Sequence, residues 1–287
     1  MPARIPTPIG AHVPVGSGLA RTALPYARAI GAEAIQVFTS NPRGWAPAPG
    51  NRAQDAAFRA GCAEAGIAVF VHAPYLVNLA SPTAATLAKS VDAVEHAVRR
   101  GTAIGAVGVV VHAGSAVTEA RRAAALSQLR EHLLPLLDAL PATAPRILIE
   151  PSAGGGAPLA ARITDLPAYL AALEDHPRLG LCLDTCHLHA AGHDLAQPGG
   201  VRTLLNALVR AVGRGRLGLV HANDSKDPAG SSRDRHERVG AGTIGLTPFA
   251  ELFRHPATRG IPVVVETPGT RSEHAEDLAV LRALRNR

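Results

Sequence analysis

The feature that most constrains the fold of this 287-residue chain is an alternation, repeated eight times, of short Val/Ile/Leu-rich runs with longer Ala/Leu/Arg/Glu-rich stretches. The apolar runs lie at Ile9 to His12, Ala34 to Phe38, Ala68 to His72, Val107 to His112, Ile147 to Glu150, Leu179 to Asp184, Leu217 to His221 and Pro262 to Glu266. Several are continuous rather than alternating, as expected of parallel strands covered on both faces. The intervening stretches predict helices at Leu19 to Ile30, Arg52 to Ala65, Ala84 to Arg100, Thr118 to Leu140, Leu166 to Glu174, Val201 to Val212, Pro248 to Phe253 and Glu273 to Leu284. Eight such units predict an α/β fold, a closed (β/α)8 TIM barrel, with residues 1–287 as a single domain and no internal linker. A doubly wound sheet is the competing reading, reached if the faint first or seventh unit is miscounted. The 28 glycines and 23 prolines have no fixed period, which excludes collagen-like and low-complexity architectures.

Charge and cysteine content narrow the function classes only loosely. The chain has 29 Lys plus Arg against 23 Asp plus Glu, a formal charge of +6, and every basic residue except Lys89 and Lys226 is arginine. Arginine suits bidentate phosphate contacts, but GC-rich coding accounts for the same bias, so a polyanionic partner is permitted and not established. Cys62, Cys182 and Cys186 form no CxxC pair and are odd in number, which predicts buried thiols in a reducing, cytoplasmic setting. The N-terminal MPARIPTPIGAHVPVG lacks the pattern of a signal peptide, and no apolar run reaches the roughly 18 residues of a membrane span.

The decisive pattern is where the acidic and imidazole residues fall. The third to eighth predicted strands end in VFVHA (His72), VVVHA (His112), ILIE (Glu150), LCLDTCH (Asp184 and His187), LGLVHAND (His221) and VVVET (Glu266). In a barrel these ends converge on one mouth, the face where barrel enzymes carry their chemistry. Asp234 and His236, in SSRDRHERVG, lie on the loop after the seventh strand and can fold over the same opening. A lone histidine or carboxylate at a strand end is commonly structural. Five histidines and four carboxylates gathered at one mouth would be costly to desolvate without a cation. Nitrogen and oxygen ligands without thiolate fit zinc, manganese or iron, and the histidines favour zinc; the spacing supports two ions and permits three.

Nearly the whole chain resembles the endonuclease IV family of zinc-dependent apurinic/apyrimidinic endonucleases. The likeness is carried by GAHV, FTSNPRGW, HAPYLVNL, VHAGS, LCLDTCHLHAAGHDL, HANDSKDPAGSSRDRHERVGAGTIG and VVVET. The resemblance implies three zinc ions: one held by His72, His112 and Glu150, a second by Glu150, Asp184, His221 and Glu266, and a third by His187, Asp234 and His236. Glu150 is then the bridging carboxylate, and it also helps to orient water. Manganese at some of these sites is compatible with the same ligands. The implied substrate is double-stranded DNA with abasic sites or blocked 3′ ends, cut 5′ to the lesion by a metal-bridging hydroxide to leave a 3′-hydroxyl and a 5′-deoxyribose phosphate. A monomer is expected by the same resemblance.

Abasic-site recognition needs phosphate contacts and a wedge for the gap left by the missing base. The family resemblance implies these roles for Arg43 in NPRGW and Tyr75 with Leu76 in HAPYL, while Asn223, Ser225, Lys226, Arg233 and Arg235 surround the metal-bearing loops as phosphate contacts. Arg235 has a nearby carboxylate as its alternative partner. Pro151 and Ser152 stand where the family commonly has asparagine and threonine, and His12, His189 and His193 are read as packing, hydrogen-bonding or surface residues. Two other readings compete: a sugar isomerase or epimerase on a related metal barrel, which needs fewer ligands and a metal-free base, and a DNA-damage-binding protein with structural metals.

Overall fold

The computed structural model describes residues 7–287. Eight parallel strands close into a barrel in the order β1 (Ile9–His12), β2 (Ala34–Phe38), β3 (Ala68–His72), β4 (Gly108–His112), β5 (Arg146–Glu150), β6 (Leu179–Asp184), β7 (Leu217–His221) and β10 (Val263–Val265), which pairs back onto β1. The doubly wound alternative is thereby excluded. Each strand matches a predicted run to within a residue at either end. The polypeptide between β7 and β10 adds a short antiparallel hairpin, β8 (Asp224–Ser225) with β9 (His236–Glu237), which the apolar pattern does not signal because it is polar and two residues long on each side.

The helices follow the predicted positions with instructive departures. The first begins as a π-helical turn at Leu19–Ala23 before α1 (Leu24–Ala29), where Pro25 has no N–H to continue an i to i−4 ladder. The remaining barrel helices are α2 (Arg52–Glu64), α3 (Ala84–Ile104), α4 (Arg122–Asp138), α5 (Leu166–Ala172), α7 (Gly200–Val212), α8 (Leu246–Arg254) and α9 (Arg271–Arg285). α5 stops short of the predicted Glu174 because Glu174 and Asp175 adopt left-handed backbone, at φ of 54° and 48°. α7 is typical in its amphipathicity: Val201, Leu204, Leu205 and Leu208 form its buried stripe. α9 opens with a capping box in which the Thr270 N–H donates to Glu273 Oε2 at 2.7 Å. An extra helix, α6 (Thr185–Ala190), directly follows β6 and carries His187.

Two apolar layers result. A large outer core joins the strands to the helices, and a small inner one fills the barrel with Ala34, Phe70, Val110, Leu148, Cys182, Leu219 and Val264. Side chains alternate in and out along a strand, so the residue two positions further on also faces the barrel axis, nearer the mouth. Those residues are Gln36, His72, His112, Glu150, Asp184, His221 and Glu266. The strand period thus converts an apolar plug into a polar floor one pleat higher.

Candidate metal centre

Pairing registers set the neighbours in this floor. His112 lies opposite Glu150, and Asp184 opposite His221, so each pair projects from adjacent strands to the same side. Glu150 is completely buried and central: its Oε2 is 3.2 Å from His72 Nε2 and 3.5 Å from His112 Nε2, and its Oε1 is 2.8 Å from His221 Nδ1. Asp184 caps α6, accepting from the His187 backbone N–H at 2.9 Å, and this cap fixes where the His187 side chain starts. The β8–β9 hairpin then brings Asp234 and His236 over the mouth. His187 Nε2 lies 3.1 Å from Asp234 Oδ2, and His236 Nε2 lies 3.0 Å from Asp234 Oδ1.

Ligand atoms consequently gather in overlapping groups. His72, His112 and Glu150 form one; Glu150, Asp184, His221 and Glu266 a second; His187, Asp234 and His236 a third, with the ligand atoms of each group within 4.8 Å of one another. Cys182 and Cys186 also approach, Cys182 beside Glu150 and His221 and Cys186 beside Asp184 and His236. Burial pushes both thiols up to about 12, so at neutral pH neither is a thiolate and the donor set is nitrogen and oxygen.

Hydrogen bonds behind the ligands aim them inward. Nδ1 of His72 is 2.6 Å from the Ala73 carbonyl, Nδ1 of His187 is 3.1 Å from the Pro151 carbonyl, and Nδ1 of His236 is 3.2 Å from the Glu266 carbonyl. Each contact places a proton on Nδ1 and leaves Nε2 facing the group as the nitrogen that would meet a metal ion, the arrangement seen behind metal-binding imidazoles. His236 Nε2 is buried without a hydrogen-bond partner among the described residues. A buried inward nitrogen without a hydrogen-bond partner, amid converging carboxylates, is the chemistry of a cation site, whether the cation is a proton or a metal ion. Pro151, whose missing amide marks a departure from the family pattern, serves here through its backbone carbonyl.

These groups fit the comparisons with known proteins. A family model described as a xylose isomerase-like TIM barrel matches residues 24–284. A probable endonuclease 4 of Streptomyces coelicolor is 55% identical over 280 residues, spanning 97% of this chain and 95% of the relative. The crystal structure of endonuclease IV from Thermus thermophilus superposes with a TM-score of 0.85 at 34% identity, covering 97% of this chain and 99% of that one. The chain belongs to the endonuclease IV family. A 3-keto-D-glucoside 4-epimerase from E. coli also superposes, with a TM-score of 0.69, but at 16% identity this likeness concerns the barrel alone.

The charge state of this endonuclease IV centre follows from its packing. Burial pushes His112 down to about 4, only partly opposed by Glu150. Burial also disfavours charge on His187, His221 and His236, but their neighbours overcome it, carboxylates at His187 and His236, and Cys182 together with Glu266 and Glu150 at His221: His187 and His221 rise well above the ordinary value and His236 to about 9. Conversely, the carboxylates of Glu150, Glu266 and Asp234 are held below their usual range against burial, chiefly by the neighbouring imidazoles. Protons on three imidazoles thus balance the acidic cluster in the absence of other cations.

The residues expected to meet DNA divide into two sets. Tyr75 and Leu76 are 46% and 37% exposed on the rim, and the Tyr75 ring stacks on His112 at 5.8 Å with a 20° tilt. The Tyr75 N–H donates to the Pro42 carbonyl at 3.0 Å, tying this loop to the one that displays the exposed Arg43. Lys226, Arg233 and Arg235 are also exposed, although Arg235 makes a bidentate pair with Asp227 and Arg233 reaches the same carboxylate at 3.5 Å. Asn223 and Ser225 depart from expectation. Both are wholly buried, and their side chains bind protein instead of facing solvent. Asn223 Nδ2 donates to Asp184 Oδ2 at 2.6 Å while its Oδ1 accepts from the Glu266 N–H at 2.7 Å; Ser225 Oγ donates to the Asp227 carbonyl at 2.9 Å.

Asn223, just after β7, therefore braces Asp184 and Glu266, which stand at the ends of the strands on either side of β7. Asn223→Ala is expected to weaken zinc retention by about 10- to 100-fold in a chelator competition while leaving the circular dichroism spectrum unchanged. Unaltered retention would show that the brace is dispensable. His12, expected as a hydrogen-bonding residue, contacts Glu266 and Gln36; His189 is buried and accepts from the Leu195 N–H; His193 accepts from the Ile163 N–H. Gln36 was not flagged by the sequence, although it is the sole polar residue of AIQVF and sits two positions beyond the inner-core Ala34.

Proposed function

We propose that this chain is a zinc-dependent endonuclease that cleaves double-stranded DNA on the 5′ side of an abasic site, leaving a 3′-hydroxyl and a 5′-deoxyribose phosphate, and that it also clears blocked 3′ ends. The observation that carries the reading is the set of three nitrogen/oxygen groups around the barrel mouth, two of them sharing Glu150, in a chain of the endonuclease IV family. The groups support three zinc ions per chain, and their ligand chemistry also admits manganese. Bound zinc supplies Lewis-acid polarisation of phosphate oxygens, a nucleophilic water at neutral pH and charge stabilisation for the leaving oxygen.

The chain's own residues supply position. The buried Glu150 carboxylate, held ionised between His72 and His221, presents both oxygens to neighbouring groups and is placed to orient a water molecule. No cysteine or serine is needed as nucleophile, which agrees with thiols kept protonated by burial. Tyr75 and Leu76, standing on the rim beside His112, form a wedge for the gap left by a missing base, while Arg43 follows it from the adjoining loop. Lys226, Arg233 and Arg235 supply phosphate contacts and register. Three buried free cysteines accord with work in a reducing cytoplasm, and the family resemblance accords with a monomer.

A duplex containing one tetrahydrofuran residue tests the proposal. Incubation with the zinc-loaded protein is expected to give a single incision immediately 5′ to the tetrahydrofuran and a 3′ end that a polymerase extends. Binding without incision would instead identify a damage-binding module, and neither binding nor incision would leave the sugar-enzyme alternative.

A further inference from the structure

His72, His187 and His236 are aimed by backbone carbonyls, which no side-chain substitution removes. His221 is aimed differently. Its Nε2 lies 2.9 Å from the side-chain oxygen of Gln36, and its Nδ1 faces Glu150 Oε1 at 2.8 Å, Glu266 Oε2 at 3.3 Å and Asp184 Oδ2 at 3.8 Å. Gln36 is completely buried on β2, and its amide nitrogen reaches Glu266 Oε1 at 2.5 Å and His12 Nδ1 at 2.9 Å.

The orientation of this amide is settled by chemistry. An ionised carboxylate only accepts, so the Gln36 atom facing Glu266 is the NH2 group and the atom facing His221 is the carbonyl oxygen. That oxygen in turn is satisfied only by an imidazole nitrogen that carries hydrogen. One glutamine thus constrains two residues of the same four-residue group from the side opposite to the ligand cluster.

We propose that Gln36 is a positioning residue for the metal group of Glu150, Asp184, His221 and Glu266. Its amide selects the Nε2–H tautomer of His221, so that Nδ1 is the ligating nitrogen, and it occupies Glu266 Oε1, so that Oε2 is the ligating oxygen. This inference rests on the zinc reading above. It adds a determinant drawn from the second strand, which contributes no ligand. Replacing Gln36 by leucine leaves the His221 Nε2–H without its partner in a buried setting, leaves Glu266 Oε1 with His12 Nδ1 alone, at 3.2 Å, and frees the His221 imidazole to take the other tautomer.

Two measurements test it, neither dependent on turnover. In zinc-loaded protein carrying 15N-labelled histidine, long-range 1H–15N spectra are expected to show His221, assigned by the loss of its signals in His221→Gln, with a protonated Nε2 and a zinc-shifted Nδ1. A zinc-bound Nε2 with protonated Nδ1 overturns the proposal. In Gln36→Leu, with Gln36→Met as a second variant of closer length, one zinc ion is expected to be lost to a chelator at about 10- to 100-fold lower concentration than in the unaltered protein, with the other ions retained. A folded variant that keeps all its zinc at unaltered affinity overturns it as well. The tautomer measurement needs no folded Gln36 variant. If the unaltered protein takes up no zinc, the zinc reading itself fails, an outcome distinct from either of these.

Discussion

Glu150→Gln is expected to lower cleavage of a tetrahydrofuran duplex on the order of a thousand-fold, with a concurrent fall in bound zinc. The carboxylate is completely buried, belongs to two of the ligand groups, and lies within 3.5 Å of His72, His112, His187 and His221. Glutamine retains the shape but replaces a charged oxygen with an NH2 group, which donates where a donor is least useful, toward cations and protonated imidazoles. Metal-derived transition-state stabilisation is several kcal/mol, and at about 1.4 kcal/mol per factor of ten its loss gives the stated magnitude. Single-turnover rates and metal analysis of the same preparation check it together. A variant with full metal occupancy and full rate would remove Glu150 from its central role.

Zinc removal is expected to reverse the pH dependence of stability through the mildly alkaline range. Without zinc, His236 has a folded-state value raised to about 9, with burial opposed by Asp184 and Asp234, against an ordinary value of 6.5. A raised value means that the stabilisation is fully present below about 6.5 and is lost as pH rises through about 9. His187 and His221 are also raised well above the ordinary value, and they add to the loss as pH rises. Zinc binding reverses the sign, because the ion must displace these protons: affinity rises as pH climbs toward 9, and the stability zinc confers rises with it. At free zinc 100-fold above a site's dissociation constant, that site contributes about 2.7 kcal/mol. Thermal unfolding of chelator-treated and zinc-loaded protein between pH 6.5 and 9 should therefore diverge steadily. Zinc titration at pH 7.5 in a weak buffer should acidify the solution. Parallel stability curves, or zinc uptake without proton release, would show that the imidazoles are not protonated in the zinc-free protein.

Much of this architecture was legible from the chain because its local signals agree with its global form. Continuous apolar runs can be buried only between layers, and eight of them separated by helix-length stretches leave few arrangements other than a barrel. The strand ends were legible for the same reason: a histidine or carboxylate terminating an apolar run such as VVVH or ILIE stands out against its neighbours. Helix limits were harder to place. Pro25 and the left-handed Glu174 and Asp175 altered the first and fifth helices through backbone geometry that apolar periodicity does not record.

The sequence by itself determined the barrel and the chemical identity of its mouth, since residue type and the two-residue strand period decide which side chains face the axis and where along it. Only the tertiary structure decided which of them meet. Closure of β10 onto β1, and the pairing of β8 with β9, bring together residues as distant as Gln36 and Glu266, or His187 and Asp234. Such closure also decided the roles of Asn223 and Gln36. A hydrophilic loop residue near a metal motif reads as a phosphate contact until folding buries it against Asp184, and a lone glutamine in a strand reads as incidental until closure sets it between His221 and Glu266. The physical reason is common to both. Hydrogen-bond partners of a buried polar side chain come from strands remote in sequence, so their identity is a property of the closed barrel and not of any segment of the chain.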